Sequence, residues 1–265
     1  MRHTRSAHAA RRLCIILAAA LLIGVIPAPA HADQPFHFGF KKSRDGRPAS
    51  IDQEGFKPLL EKYDAVFLGD AFGKALYLTF DNGYENGYTA NILDVLKEKK
   101  VPAIFFVTGQ YIKDQPQLLK RMAAEGHLIG NHSWSHPDMT AISDQQIRSE
   151  LSRVKEEVAR ITGRQDMMFL RPPRGIFDER TLRVSKEQGY INVFWSIAYK
   201  DWETNRQQGQ EHAYRSVITQ LHPGAVILLH AVSSDNAAAL GRIIDDARAQ
   251  GYTFRSLEQL MLPLS

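Results

Sequence analysis

The sequence predicts an α/β protein built on a parallel sheet, either a barrel or an open sheet, and three observations lead there. From Lys74 onward, short β-rich apolar runs alternate with helix-like segments. Chemically distinctive polar residues stand where those runs end. No internal repeat, low-complexity tract or second large domain interrupts the pattern.

The first 32 residues stand apart. Arg2, Arg5, Arg11 and Arg12 precede the apolar run Leu13 to Ile26, which is followed by Ala28-Pro29-Ala30 and Ala30-His31-Ala32. That is the order of a secretory signal peptide, cut after Ala30 or Ala32. The run is short for a membrane span, so cleavage and a secreted, wall-associated protein are expected, with an uncleaved N-terminal anchor as the alternative. Of the chain's 33 basic residues, four lie in this segment, which holds no acid, so the remaining 29 balance the 29 carboxylates. A formally neutral mature chain without a dense basic tract offers little to a phosphate backbone, and nucleic acid is excluded as a partner. The one cysteine, Cys14, also falls in the signal. Disulfides, cysteine-based zinc sites and thiol nucleophiles are thereby excluded, and the domain must be stabilised by its own core.

Residues 33–73 read as an arm laid on the main domain. Lys41 to Gly46 make a polar turn, and Phe56 to Tyr63 show helical spacing. In the main domain, residues 74–265, strands are expected at Ala75 to Phe80, Ala103 to Val107, Leu128 to Gly130, Met168 to Leu170, Ile191 to Trp195 and Ala225 to Leu229. Helices are expected at Thr89 to Lys99, Gln117 to Glu125, Glu179 to Gln188 and Ala237 to Gln250. A longer helix begins at Ser143-Asp144-Gln145-Gln146, whose spacing fits a capping box.

In parallel α/β proteins, ligands gather where strands end. Asp81-Asn82, Asn131-His132, Arg171 and His230 all fall at such ends. Asp81, before Asn82-Gly83, is either a plain turn residue or a base for water, the latter if a cation keeps it ionised. His132 and His136 are four apart, which on one helical turn puts both rings on one side as a metal requires; capping or surface positions account for the same spacing. Arg171-Pro172-Pro173-Arg174-Gly175 is a stiff loop that is merely structural or holds a guanidinium against Asp81. His230 is either a satisfied core histidine or an acid at a strand tip, and Asp201 bonded to it would keep it protonated. Trp195, Tyr199 and Trp202 are core or an apolar wall for a sugar ring.

Together these segments resemble the polysaccharide deacetylase family, carbohydrate esterase family 4, through roughly the last three quarters of the chain. Thr79 to Gly83 looks like its first motif, His132 to His136 its second, Arg171 to Gly175 its third, Asp201-Trp202 its fourth and Leu228 to His230 its fifth. The resemblance implies a distorted (β/α) barrel, with 74–265 as the catalytic domain. It also implies Asp81 as base, His132 and His136 as metal ligands, Arg171 as partner of the base, His230 as acid and Asp201 as its support. Tyr77 to Tyr88, with Phe38 to Lys42 upstream, is similar to the delta-lactam-biosynthetic de-N-acetylases of spore-forming bacteria. That similarity implies removal of acetyl from N-acetylmuramic acid in peptidoglycan glycan strands, opening the way to the muramic lactam of spore cortex. Asn82 departs from the broad family, which has a second aspartate there as metal ligand. A neutral amide oxygen holds Zn²⁺, Mn²⁺ or Mg²⁺ less tightly than a carboxylate, so a weak or absent metal is expected. Deacetylation of N-acetylglucosamine in chitooligosaccharides shares every one of these residues, and a non-catalytic wall-binding protein is the reading from a different class.

Overall fold

A computed structural model of the chain describes residues 34–69 and 73–261; the expected signal peptide lies outside them. In chain order, the arm holds β1 (Phe36–His37) and α1 (Lys57–Lys62). The main domain then runs β2 (Ala75–Asn82), α2 (Thr89–Lys99), β3 (Ala103–Val107), α3 (Gly109–Asp114), α4 (Pro116–Ala124), β4 (Leu128–Asn131) and α5 (Asp144–Thr162). It ends with β5 (Phe169–Leu170), β6 (Ile176–Phe177), α6 (Glu179–Glu187), β7 (Ile191–Asn192), α7 (Gln210–Ile218), β8 (Ala225–His230), α8 (Ser234–Ala249) and β9 (Thr253–Phe254).

The main sheet follows the order β7-β5-β4-β3-β2-β8, and every pairing in it is parallel. β9 joins the start of β2, at Ala75 and Leu76. Both faces of β2 are buried along its whole length, as expected of a strand covered on two sides. One face, with Leu76, Leu78, Phe80 and Phe105, packs on helix residues such as Ile92, Leu96, Leu151 and Leu240. The other face, with Tyr77, Ile104, Phe106, Val193 and Val226, packs mainly on itself inside the curl of the sheet. The long helix α5 begins with the expected capping box, in which Ser143 and Gln146 bond each other's backbone, and ends at Gly163 in the left-handed conformation.

The strand expected over Ile191 to Trp195 is regular only at Ile191–Asn192, and the reason is the closure of the sheet. Val193 N–H still reaches Leu170 O, at 2.8 Å, but Phe194 N–H turns to Val66 O, at 2.7 Å. Ser196 N–H then meets Val226 O at 2.9 Å, and Ile197 O accepts from Leu228 N–H at 2.9 Å. The segment after β7 thus leaves one edge of the sheet and pairs with β8 at the other, closing a distorted barrel. The seam it leaves is bridged by the arm, where Val66 pairs with Val193 and Leu68 with Ala225. Helices α3 and α7 go beyond the sequence reading. Six-residue α3 is too short for a clear apolar stripe and is capped by Thr108, and α7 opens at Gly209 without a side-chain cap.

A second cluster fixes the arm. Phe38, Ile51, Phe56, Leu60 and Tyr63 pack on Phe177, Leu182, Phe194 and Trp195, while β1 pairs antiparallel with β6. Phe38 stacks on Phe194 at 4.6 Å between ring centres, and Phe56 meets Phe177 edge-on at 5.4 Å. Phe56→Ala should therefore lower stability by about 3–5 kcal/mol in urea unfolding and speed proteolysis within 34–69. An unchanged urea midpoint would show that the arm contributes nothing to the fold.

Candidate active site

The register of two neighbouring strands builds the centre of the site. Asp81 on β2 is the direct partner of His230 on β8. Paired residues on adjacent parallel strands project to the same face, one strand spacing or roughly 4.8 Å apart. Asp81 is turned inward and is 5% exposed, with the fully buried Arg171 beside it. Arg171 Nη1 donates to Asp81 Oδ1 at 2.7 Å, and Nη2 donates to Thr79 Oγ1 at 2.9 Å. Arg171 Nε donates to Val193 O at 3.1 Å and Nη2 to Phe194 O at 3.3 Å, so the same guanidinium holds the segment that closes the barrel. Burial by itself pushes the Asp81 carboxyl up, but Arg171, by its charge and its hydrogen bond, outweighs it and, with the neighbouring His230, holds the group below the usual carboxylate value.

His230 is held in the opposite state. Burial pulls its imidazole down, yet Asp201 raises it above the ordinary histidine value by charge and by the bond from Nδ1 to Oδ1, at 2.7 Å. Asp201 Oδ2 also accepts from the His230 N–H at 2.8 Å and from Asn236 Nδ2 at 2.6 Å. The Tyr199 hydroxyl donates to Asn236 Oδ1, which fixes the direction of that amide. With Nδ1 committed to Asp201, Nε2 of His230 is the nitrogen left to exchange a proton.

His132 and His136 are brought together, but not on a helical turn. Ser133 and His136 have left-handed backbones, with φ of 62° and 57°. Asn131 Oδ1 accepts from Ser133 N–H at 2.9 Å, and Ser133 Oγ from His136 N–H at 3.1 Å, so local side-chain bonds replace helical ones. The two rings still meet edge-on, 4.8 Å between centres. His132 Nδ1 lies 2.8 Å from Arg171 O, which can only accept, so the ring proton is on Nδ1. Nε2 then presents a lone pair 3.5 Å from Asp81 Oδ2. Burial keeps His132 below its ordinary value, and burial with the neighbouring His132 pushes His136 down to about 4, so both rings are neutral.

Two facing lone pairs need a proton or a cation between them, which is the first sign that a metal fits. The second is Asn82, whose Oδ1 is buried and accepts no hydrogen bond among the described residues, while Nδ2 donates to Thr89 Oγ1 at 3.3 Å. Among the described residues, however, no three His, Cys, Asp or Glu side chains group as a metal site. The set available is two neutral imidazoles, one neutral amide oxygen and a carboxylate already engaged by Arg171. Such donors suit a divalent cation held loosely.

These groups open into a groove of about 820 Å³, lined by Asp81, His132, His136, Arg174, Trp202 and His230 and, from the arm, His37 and Phe40. Arg171, Asp201 and Asn82 are buried around it and do not line it. The profile of the family described as polysaccharide deacetylase matches residues 69–193. The chain is 52% identical over 251 residues, 94% of its own length and 95% of the other, to the peptidoglycan-N-acetylmuramic acid deacetylase PdaA of Bacillus subtilis. It is 33% identical to a chitooligosaccharide deacetylase of Sinorhizobium fredii, covering 70% of this chain and 91% of that one. The solved structure of Bacillus subtilis PdaA, a family 4 carbohydrate esterase, superposes with a TM-score of 0.84 at 54% identity, covering 86% of this chain and 97% of that one.

Sequence reasoning missed Thr79, Asn236 and the arm's share of the groove. Thr79 was within reach, since it lies two residues before Asp81 and so on the same face of β2. Nothing local marks Asn236, which meets Asp201 only through the docking of α8. Arg171→Met should cost about 3–5 kcal/mol near neutral pH, because it leaves Asp81 charged, buried and without its partner. In the parent, the lowered Asp81 pKa makes the pair stabilising above the ordinary carboxylate value, and that stability is lost as pH falls through the lowered value. In the variant, burial is no longer offset by Arg171, so the carboxyl should rise and acidification should instead recover stability. Urea titrations across pH check this, and Arg171→Met combined with Asp81→Asn should unfold later than Arg171→Met alone.

Proposed function

Since the chain belongs to the polysaccharide deacetylase family of carbohydrate esterases, we propose that it hydrolyses the acetamide of N-acetylmuramic acid residues in peptidoglycan. The observation that supports this chemistry best is the pairing of Asp81 and His230 side by side at one groove, the carboxyl held below its ordinary value and the imidazole above its own. Asp81 Oδ1 is occupied by Arg171, so Oδ2 takes the proton from water as its oxygen attacks the acetyl carbon. His230 Nε2 gives its proton to the sugar nitrogen as the C–N bond breaks, and acetate and a free amino sugar leave. Of Pro172 to Gly175, the prolines have no N–H and Gly175 N–H bonds Pro172 O, which leaves Arg174 N–H for the developing oxyanion. A divalent ion held by His132, His136 and Asn82 would polarise the acetyl carbonyl when bound.

Muramic acid differs from glucosamine by a lactyl ether that carries a carboxylate. Arg174 supports the muramic reading: it lines the groove, its side chain is half exposed, and Asp138 Oδ2 is 3.4 Å away. The 52% identity to the muramic deacetylase supports it independently. The arginine-led apolar leader supports export to the wall. The likeness of Tyr77 to Tyr88 and of Phe38 to Lys42 to the lactam-pathway enzymes supports a role ahead of lactam closure in spore cortex.

The deciding experiment incubates mature protein with peptide-stripped glycan strands beside chitooligosaccharides, with chelator or with added Zn²⁺, Mn²⁺ or Mg²⁺, and follows acetate and sugar masses. Deacetylated muramic residues are expected, and acetate from chitooligosaccharides alone would overturn the substrate. Arg174→Ala should lower kcat/KM on muramic strands about tenfold, the scale of one charge-assisted bond, and leave chitooligosaccharides unaffected. The profile of kcat/KM should rise as Asp81 ionises, below the ordinary carboxylate value, and fall as His230 deprotonates, above the ordinary histidine value. Asp201→Asn should move that upper limb to lower pH, and an unmoved limb would remove His230 from the role of acid.

A further inference from the structure

We propose that Phe40 on the arm is the platform of an outer sugar subsite, against which a second pyranose of the glycan strand stacks while its neighbour is deacetylated. This rests on the reading of the site as a glycan deacetylase.

Phe40 is 45% exposed, although the chain on both sides of it is tightly held. Before it, Phe38 is buried and its N–H reaches Gly175 O at 2.8 Å, while Gly39 O accepts from Trp195 Nε1 at 3.1 Å. After it, Ser43 is buried and its hydroxyl donates to Ser196 O at 3.2 Å. A large apolar ring kept in water by an anchored backbone is poised to contact something. Its orientation narrows what that is. The ring lies nearly parallel to Trp195, at 5.7 Å and 19°, and to Trp202, at 5.6 Å and 29°. Trp202 in turn is 5.3 Å from the His230 ring. Phe40, Trp195 and Trp202 line the same groove as His230, and Trp202 links Phe40 to that histidine, so the apolar surface is continuous with the site of chemistry.

The apolar C–H face of a pyranose matches such a flat aromatic surface, and its hydroxyl edges remain in water. The groove, at about 820 Å³, lies high in the range for small-ligand sites, roughly 300–1,000 Å³, and offers room beyond one sugar. Residues 36–43 precede the stretch matched by the family profile, so this subsite is added to the family's core by the arm.

The test compares the parent protein with Phe40→Ala and Phe40→Trp on N-acetylmuramic acid alone and on peptide-stripped strands of six or more sugars. Phe40→Ala should raise KM for the long strands about tenfold more than KM for the monosaccharide, an effect on KM rather than on kcat, and Phe40→Trp should restore it. Melting temperatures should stay together, since the ring is outside the core. Equal losses on both lengths, a fall in kcat alone, or an unchanged KM would overturn the subsite, as would an effect confined to strands that still bear peptide stems. Calorimetric binding of the long strands separates this from failure of the functional reading. If the parent releases no acetate, a tenfold weaker Kd for Phe40→Ala still supports the subsite, and an equal Kd overturns it.

Discussion

The rest of the structure depends on the burial of Arg171. A guanidinium presents its donors in one rigid plane, and here that plane faces Asp81, Thr79, Val193 O and Phe194 O at once. It also lies over the ring of Phe106, 4.3 Å from the centre. The end of β5 is thereby tied to β2 and to the irregular segment that closes the barrel. A charge with no exposed surface must be matched by an opposite one, and Asp81 is that match. The fold therefore requires an ionised carboxylate at the place where the proposed chemistry needs a base. On the proposed mechanism, removing either partner should harm both, so stability and activity would not be separable at this pair.

The second consequence is a division of protonation states between neighbours. Asp81 and His230 share one rung of the sheet, and left to each other they would form a simple ion pair. Each is instead claimed from its outer side, Asp81 by Arg171 and His230 by Asp201. A carboxylate kept low and an imidazole kept high, side by side, are what the proposed base and acid need at one pH. Asn236 and Tyr199 extend the arrangement on the His230 side, because a fixed amide directs both oxygens of Asp201.

How much of this was legible follows from what each residue is held by. Asp81, Arg171 and His230 could be found in sequence because an apolar run fixes where a parallel strand ends, and the residue after it is placed by that alone. The Ser143 cap could be found because its partners are three residues apart. The geometry of His132 and His136 could not, because Asn131 and Ser133 bend the backbone into left-handed turns that spacing does not express. Ile191 to Trp195 reads as one apolar strand, yet its path is decided by a distant arginine and by Val66. Such long-range choices leave no local pattern, and Asn236 was hidden for the same reason.

The arm is best understood through the loop it clamps. Gly175 has φ of 64°, and a Cβ there would come within 2.6 Å of Trp195 and 3.3 Å of Phe38. Arg174 just before it is also left-handed, with φ of 59°, a strained state for a residue with a side chain. Phe38 N–H bonds Gly175 O while Trp195 packs against the same glycine, so the arm helps hold the loop in this shape. That loop carries Arg174 at the groove and begins at Arg171, whose carbonyl sets the tautomer of His132. A segment outside the family's matched core thus helps to fix the backbone that orients Arg171, His132 and Arg174. By this reasoning the arm is a working part of the site, and the aromatic wall it adds and the barrel seam it bridges are two results of the same packing.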